Sequence, residues 1–235
     1  MKTWRTVGTE NERFRDSWVK AKLGEIPTQS RLLDAGAGEQ RYRSACGHLR
    51  YVSQDFGQYD GKGDAKGLQV GTWDQTRLDI VCDIVSIPEP DGSFDAVLCT
   101  EVLEHLPDPN RALKEFSRLL KSGGVLVMTA PFCSLTHFAP FHFSTGFNRY
   151  YYERHLTELG FSLREITANG NYFEFLAQEL NRIQDVANRY STGVQTIAEK
   201  ISHRILLKKL ARHSQHDQGS SDLLNFGYQI VAIKT

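Results

Sequence analysis

The sequence predicts an α/β protein built on one doubly wound, mainly parallel β-sheet. Two observations carry that expectation. Short continuous apolar runs of strand length alternate with stretches of helical period, as in a sheet covered on both faces by helices. The first of these runs, RLLDAG, passes directly into a glycine-bearing turn, LLDAGAGEQ, before a short helical stretch.

The elements follow in order. Thr9 and Glu12 are spaced as a capping box, and Phe14, Trp18 and Ala21 recur at i, i+4 and i+7, so a first helix is expected to end near Gly24. Candidate strands occupy 31–36, 51–55, 79–84 and 94–99. Asp108 then caps a helix with Pro109 at its first position and Ala112, Leu113, Phe116, Leu119 and Leu120 on one face, stopped by Gly123 and Gly124. A fifth strand is expected at 124–130. A helix from near Thr145 carries Phe147, Tyr151, Leu156 and Leu159 to Gly160, ahead of a sixth strand at 161–167.

Residues 171–213 read as a helical insertion. Phe173, Leu176, Leu180, Ile183, Ala187 and Tyr190 fall at helical spacing, followed by Val194, Ile197, Ile201 and Ile205. This spacing fits a lid, a homodimer surface or a partner site alike. The polar segment SQHDQGSSD, 214–222, reads as a mobile linker to a last strand at 226–234. One domain, 1–235, is expected, with no internal repeat.

Composition narrows the classes. Of 235 residues, lysine plus arginine and aspartate plus glutamate number 28 each, so no global field draws the chain to nucleic acid or a membrane surface, although a local basic patch stays open. No run approaches the about 18 apolar residues of a membrane span, and MKTWRTVGTENERFRD lacks the apolar core of a signal peptide, so a cytoplasmic protein is expected. Cys46, Cys82, Cys99 and Cys133 are scattered without a CxxC pair, which suggests neither a disulfide framework nor a thiolate metal site.

The turn after the first strand is the most informative stretch. Gly36 and Gly38 let a ligand approach the backbone, and the amides opening the next helix favour a negative group. A dinucleotide fold would place a third glycine where this chain has Gln40, and Asp34 would repel a pyrophosphate while attracting an ammonium or sulfonium cation. Asp55, ending the second strand, is placed to accept from ribose hydroxyls, with Phe56 beside it. Asp83, ending the third, can accept from an exocyclic amine while Ile84 covers a base. Asp55 could instead be only a helix cap or turn acid, and Asp83 only a turn residue. Together they describe a ribonucleoside with a positive centre and no phosphate, which is S-adenosylmethionine.

At LLDAGAGEQ, QDF, CDI and SFDAVLCTEVLEHLPDPNRALKEFSRLLKSGGVLVMTAP the sequence resembles the class I S-adenosylmethionine-dependent methyltransferases, in particular the methyltransferase type 11-like group. The likeness runs from about residue 31 to 132 and more weakly beyond. It implies a Rossmann-like, seven-stranded sheet with an antiparallel last strand. It also implies that Asp34, Gly36 and Gly38 hold the methionine part of S-adenosylmethionine, Asp55 the ribose, and Asp83 with Ile84 the adenine, with Thr100 and Glu101 near the transferable methyl. Gln40, Glu39 and Arg41 depart from the pattern, and Arg41 is either a carboxylate contact or a surface residue.

Methyl transfer needs no covalent residue, but an alcohol acceptor needs a base for its proton. The candidates are His105 in EVLEH and His137 and His142 in PFCSLTHFAPFHFSTGF, a loop that either binds acceptor or packs a lid with Phe138, Phe141 and Phe143. Some class I members that this EVLEH segment resembles, small-RNA 3′-end and certain quinone-pathway methyltransferases, hold a divalent cation with its acids and histidine. Glu101, Glu104 and His105 with His137 or His142 could do the same, though the reading adopted assigns no metal. The expectation is methyl transfer to a small-molecule or glycan-like acceptor, at oxygen rather than nitrogen. RNA methylation and a non-catalytic S-adenosylmethionine-binding module are the alternatives. The basic run ISHRILLKKLARH, 201–213, is either an RNA contact or a solvated helix face.

Overall fold

The computed structural model describes residues 3–235. Its strands are β1 (Arg31–Ala35), β2 (Arg50–Asp55), β3 (Ile80–Val81), β4 (Phe94–Thr100), β5 (Leu120–Pro131), β6 (Phe161–Asn169) and β7 (Gly227–Lys234). The helices are α1 (Asn11–Glu25), α2 (Pro109–Leu119), α3 (Arg149–Glu158), α4 (Tyr172–Tyr190) and α5 (Ile197–Gln215). The seven strands form one sheet in the order β3-β2-β1-β4-β5-β7-β6, parallel from β3 to β5, with β7 antiparallel to β5. This is the doubly wound sheet that the apolar runs predict. The strand order reverses between β1 and β4, and in such sheets that switch point opens a crevice at the carboxyl ends of the strands.

Two compact units are distinguished: residues up to Asp16 with Ala168–Phe226, and Ser17–Thr167 with Gly227–Thr235. The larger unit holds the sheet. Val19 and Leu23 of α1 pack with Leu32 of β1, Ala96 and Leu98 of β4 and Val127 of β5, so the half of α1 within this unit covers one face. Trp18 Nε1 donates to Glu165 Oε1 at 2.8 Å, and Lys22 Nζ lies 2.9 Å from Glu165 Oε2. Leu113, Phe116 and Leu119 of α2 are fully buried. In the smaller unit Val7, Ala177, Leu207 and Ala211 form a second core.

Several boundaries differ from the sequence reading. The third strand shrinks to Ile80–Val81, because Asp83 closes a turn by accepting from the Val85 N–H at 3.1 Å. The first helix begins at Asn11, since the Thr9 hydroxyl donates back to Thr6 O at 3.0 Å instead of capping forward. Asp108 does cap α2, accepting from the Asn110 N–H at 3.2 Å, but the helix ends at Leu119 and enters β5 without a loop. The pairing of β4 with β5 jumps from Phe94–Leu120 to Ala96–Val125, so Gly123 and Gly124 lie in this irregular stretch rather than at a helix stop. Asn148, not Thr145, caps α3. The stretch 214–222, expected to be a mobile linker, contains the last turn of α5 and a 3-10 turn at Ser220–Asp222, closed by Asp217 accepting from the Gly219 and Ser220 N–H groups.

Candidate active site at the carboxyl ends of β1, β2 and β4

Asp34, in the last turn of register of β1, is 2% exposed and pairs across the sheet with Ser53 and Leu98. The Tyr51 hydroxyl donates to its Oδ2 at 2.5 Å. Burial pushes the Asp34 carboxyl up to about 7, with the neighbouring Asp55 charge adding to the rise and the Tyr51 hydrogen bond opposing it. A carboxyl held that far above its ordinary value gains strongly from a cation.

The turn that follows requires its two glycines. Gly36 and Gly38 have φ of +74° and +52°, and a methyl group on either would come within 2.5 Å of Val102 Cγ2 or Trp73 Cζ2 respectively. Gln40 also takes a positive φ, +60°, although it is not glycine. Its backbone N–H donates to Ala37 O at 2.7 Å and its side-chain amide to Arg77 O at 2.8 Å, which holds a conformation otherwise disfavoured. Arg41 is exposed.

Asp55 is buried and engaged on both oxygens. Oδ2 accepts from the Gly38 N–H at 2.9 Å, and Oδ1 from the Gly57 N–H at 3.1 Å and Gln75 Nε2 at 2.8 Å. Gln75 and Trp73 belong to the long connection between β2 and β3, residues 56–79, which folds back over the glycine turn. Glu39 Oε1 accepts from the Asp74 N–H at 3.0 Å and fastens the two segments. Such a long segment without regular structure is uncommon and usually functional. It is also zipped to the loop after β5: the Leu68 N–H donates to Thr136 O at 2.9 Å and the Phe138 N–H to Leu68 O at 3.0 Å.

Those two loops enclose an aromatic group. Phe138 stacks on Tyr59 with centroids 4.5 Å apart, meets Trp73 at 5.2 Å, and stacks on His105 at 5.1 Å. A continuous line of contacts therefore joins Gly38, through Trp73 and Phe138, to the histidines. His105, His137 and His142 lie together, with ring centroids 4.6, 4.8 and 5.9 Å apart.

The hydrogen bonds of this cluster fix its chemistry. His105 Nδ1 is 2.6 Å from Phe141 O and His137 Nδ1 is 2.8 Å from Leu135 O. A carbonyl can only accept, so both Nδ1 atoms carry hydrogen, and either ring when neutral presents a lone pair at Nε2. Those Nε2 atoms lie 3.8 and 3.9 Å from Oε1 of the buried Glu104. Burial holds the His105 imidazole down to about 3, helped by the His137 and His142 charges and opposed by the Phe141 hydrogen bond. His142 is likewise lowered, chiefly by burial, and its Nε2 is 3.2 Å from Ser134 Oγ. Glu104, His105 and His137 each offer one ligand atom, all within 4.8 Å of one another, and are chemically able to hold a metal ion.

Glu101 sits just past β4 at φ +53°, held by its N–H to Thr129 O at 2.9 Å and by the Thr129 hydroxyl to its Oε1 at 2.8 Å. A non-glycine residue in that region is strained, and strain of this kind gathers at functional sites. Thr100 ends β4 beside it. Phe56 is set edge-on to Phe141 at 5.0 Å. Ile84 is buried, whereas Asp83 is exposed and serves the turn described above. The sequence reading passed over Tyr51, Trp73 and Gln75, which belong to no local motif; the unusual length of the connection after Asp55 hinted at Trp73 and Gln75, and nothing hinted at Tyr51.

A profile of the methyltransferase domain family matches residues 33–128. An ubiquinone biosynthesis O-methyltransferase of Xanthomonas axonopodis pv. citri is 33% identical over 118 residues, covering 49% of this chain and 48% of that one. The chain spans from about a quarter to about half the length of the curated relatives it matches. Among solved structures, the (4+2)-cyclase SpnF is similar with a TM-score of 0.54 at 19% identity, covering 92% of this chain and 79% of that one. A geranyl diphosphate methyltransferase in complex with GPP and sinefungin has a TM-score of 0.53 at 14% identity, covering 95% and 79%. Among the described residues no helix is long and apolar enough to cross a membrane.

Proposed function

We propose that this chain, whose residues 33–128 match a methyltransferase domain family, uses S-adenosylmethionine to transfer a methyl group to an oxygen atom of a small-molecule or glycan-like acceptor. The observation that carries the oxygen reading is the convergence of His105 Nε2, His137 Nε2 and Glu104 Oε1 beside the end of β4. The names of the curated relatives support it as well.

When bound, S-adenosylmethionine supplies a methyl group on a positively charged sulfur. In this reading Asp34 receives the ammonium of its methionine part, Asp55 the ribose hydroxyls, and Asp83 with Ile84 the adenine, while Thr100 and Glu101 border the methyl. The imidazole of His137 takes the acceptor's proton through Nε2, oriented by its Nδ1 hydrogen bond to Leu135 O. Glu104 steadies the resulting imidazolium, and His105 and His142 complete the polar wall. Positioned bases of this kind typically add about 10²–10⁴-fold, and alignment of acceptor with donor supplies much of the remainder. Phe138, Trp73 and Tyr59 keep water from the reacting atoms.

A second reading shares the same residues. Glu104, His105 and His137 fit a divalent cation, since both histidines have Nδ1 tied to carbonyls and Nε2 free to ligate. Such an ion would lower the pKa of an acceptor hydroxyl.

Calorimetry with S-adenosylhomocysteine, followed by mass-spectrometric detection of methylated product across hydroxylated acceptors, tests the proposal. Cofactor binding with product at oxygen, reduced about 10²-fold or more by His137→Gln, is the expected result. Tight binding with no product from any acceptor would assign a non-catalytic role instead.

A further inference from the structure

We propose that the face of α5 running from Ile197 to Arg212 docks on an anionic phospholipid bilayer. Ile197, Ile201 and Ile205 recur every four residues and are 78%, 52% and 61% exposed, so one side of the helix presents branched aliphatic chains to solvent. The same side continues as Lys208 and Arg212, with Lys209 alongside, all exposed. The opposite side, Leu207 and Ala211, is buried in the core of the smaller unit, and the isoleucines lie outside that core. Val194, in the turn leading to α5, is 80% exposed, and Ile183 and Tyr190 of α4 are also exposed.

Charge selects the occupant. In a chain whose basic and acidic residues balance, α5 carries Lys200, Arg204, Lys208, Lys209 and Arg212 against the single acid Glu199, which the Thr196 capping box already engages. Two copies of so positive a face repel each other across a twofold contact. A nucleic acid would answer the lysines but leave the isoleucines in water. A bilayer with anionic headgroups answers both: the aliphatic side chains enter the boundary of the acyl region by about 5–10 Å while lysine and arginine meet the phosphates. This surface stands apart from the methyl-transfer reading and needs no cofactor to be measured.

Flotation of the full chain with vesicles of phosphatidylcholine alone, and of phosphatidylcholine mixed with phosphatidylglycerol, tests it. Binding to the mixed vesicles at least tenfold above the neutral ones is expected, weakening as salt is raised. Each lysine near such a surface contributes roughly fivefold, so Lys208→Gln with Lys209→Gln should lower binding by more than about tenfold. Ile201→Ser with Ile205→Ser should lower it comparably at an unchanged melting temperature. These positions are exposed, and if one pair fails to fold the other still decides. The proposal is overturned by absence of flotation, by equal binding to both vesicles, or by binding that neither pair of substitutions reduces. It is equally overturned if RNA binds the chain and strips it from vesicles, or if the exposed face instead closes a dimer that the isoleucine substitutions break.

Discussion

The side-chain amide of Gln75 donates to Asp55 Oδ1 at 2.8 Å, on the carboxylate whose other oxygen holds the Gly38 N–H. In the proposed reading that carboxylate must also receive a ribose diol. Two of its partners are backbone groups fixed by the fold; Gln75 is a side chain and can leave. Gln75→Ala should therefore tighten S-adenosylhomocysteine binding by about tenfold or more by calorimetry, because a competing charged-group hydrogen bond, worth about 1.5–3 kcal/mol, is gone. Weaker binding would mean that Gln75 holds the nucleoside rather than yielding to it.

In the proposed reading Asp55 has two roles. Replacement by alanine removes the acceptor of the Gly38 and Gly57 N–H groups, and a buried donor left without a partner costs about 1–3 kcal/mol. Asp55→Ala should thus lower the unfolding midpoint in urea as well as cofactor affinity. A variant that loses affinity at full stability would show that these backbone bonds contribute little.

Asp34 makes stability depend on pH. Its folded pKa, about 7, lies above the ordinary 3.8, so between about pH 4 and 7 the folded chain binds more protons than the unfolded chain. Stability from this group is greatest at the acid end and falls as pH rises through that window, by on the order of a few kcal/mol. Asp34→Asn should gain stability relative to the parent at pH 8 and not at pH 4, measured by denaturant unfolding without ligand. A cationic ligand restores the carboxylate, so binding near pH 6.5 should release a proton, seen as a heat that varies with buffer ionisation enthalpy.

Trp73 reports on the same site. Its ring lies against Gly38, whereas Trp4 and Trp18 belong elsewhere in the fold. S-adenosylhomocysteine should change the intrinsic fluorescence of the parent, and Trp73→Phe should abolish the change. Persistence of the full signal in that variant would place the nucleoside away from the glycine turn.

Manganese or zinc titration separates the two uses of the histidine cluster. The cation reading predicts one bound ion and at least about tenfold weaker binding in His137→Ala, since loss of a ligand or its support typically costs 10- to 100-fold. Absence of binding to the parent would leave the cluster as a proton acceptor alone.

The sequence by itself determined the sheet and the glycine turn at its edge. Apolar runs alternating with helical periods specify which segments cross the core, and Asp34, Gly36 and Gly38 are legible because the acid, the turn and the strand are contiguous, so local sterics and charge suffice. The capping of α2 by Asp108 is local in the same way. Tertiary structure decided the rest. Gln75 reaches Asp55 across 20 residues of irregular chain, and Glu104 meets His137 across two loops. Asp83, readable as a ligand contact or as a turn residue, closes its own turn. Hydrogen bonds and aromatic contacts between irregular loops have no period in sequence, because their geometry is set by the segments against which they fold.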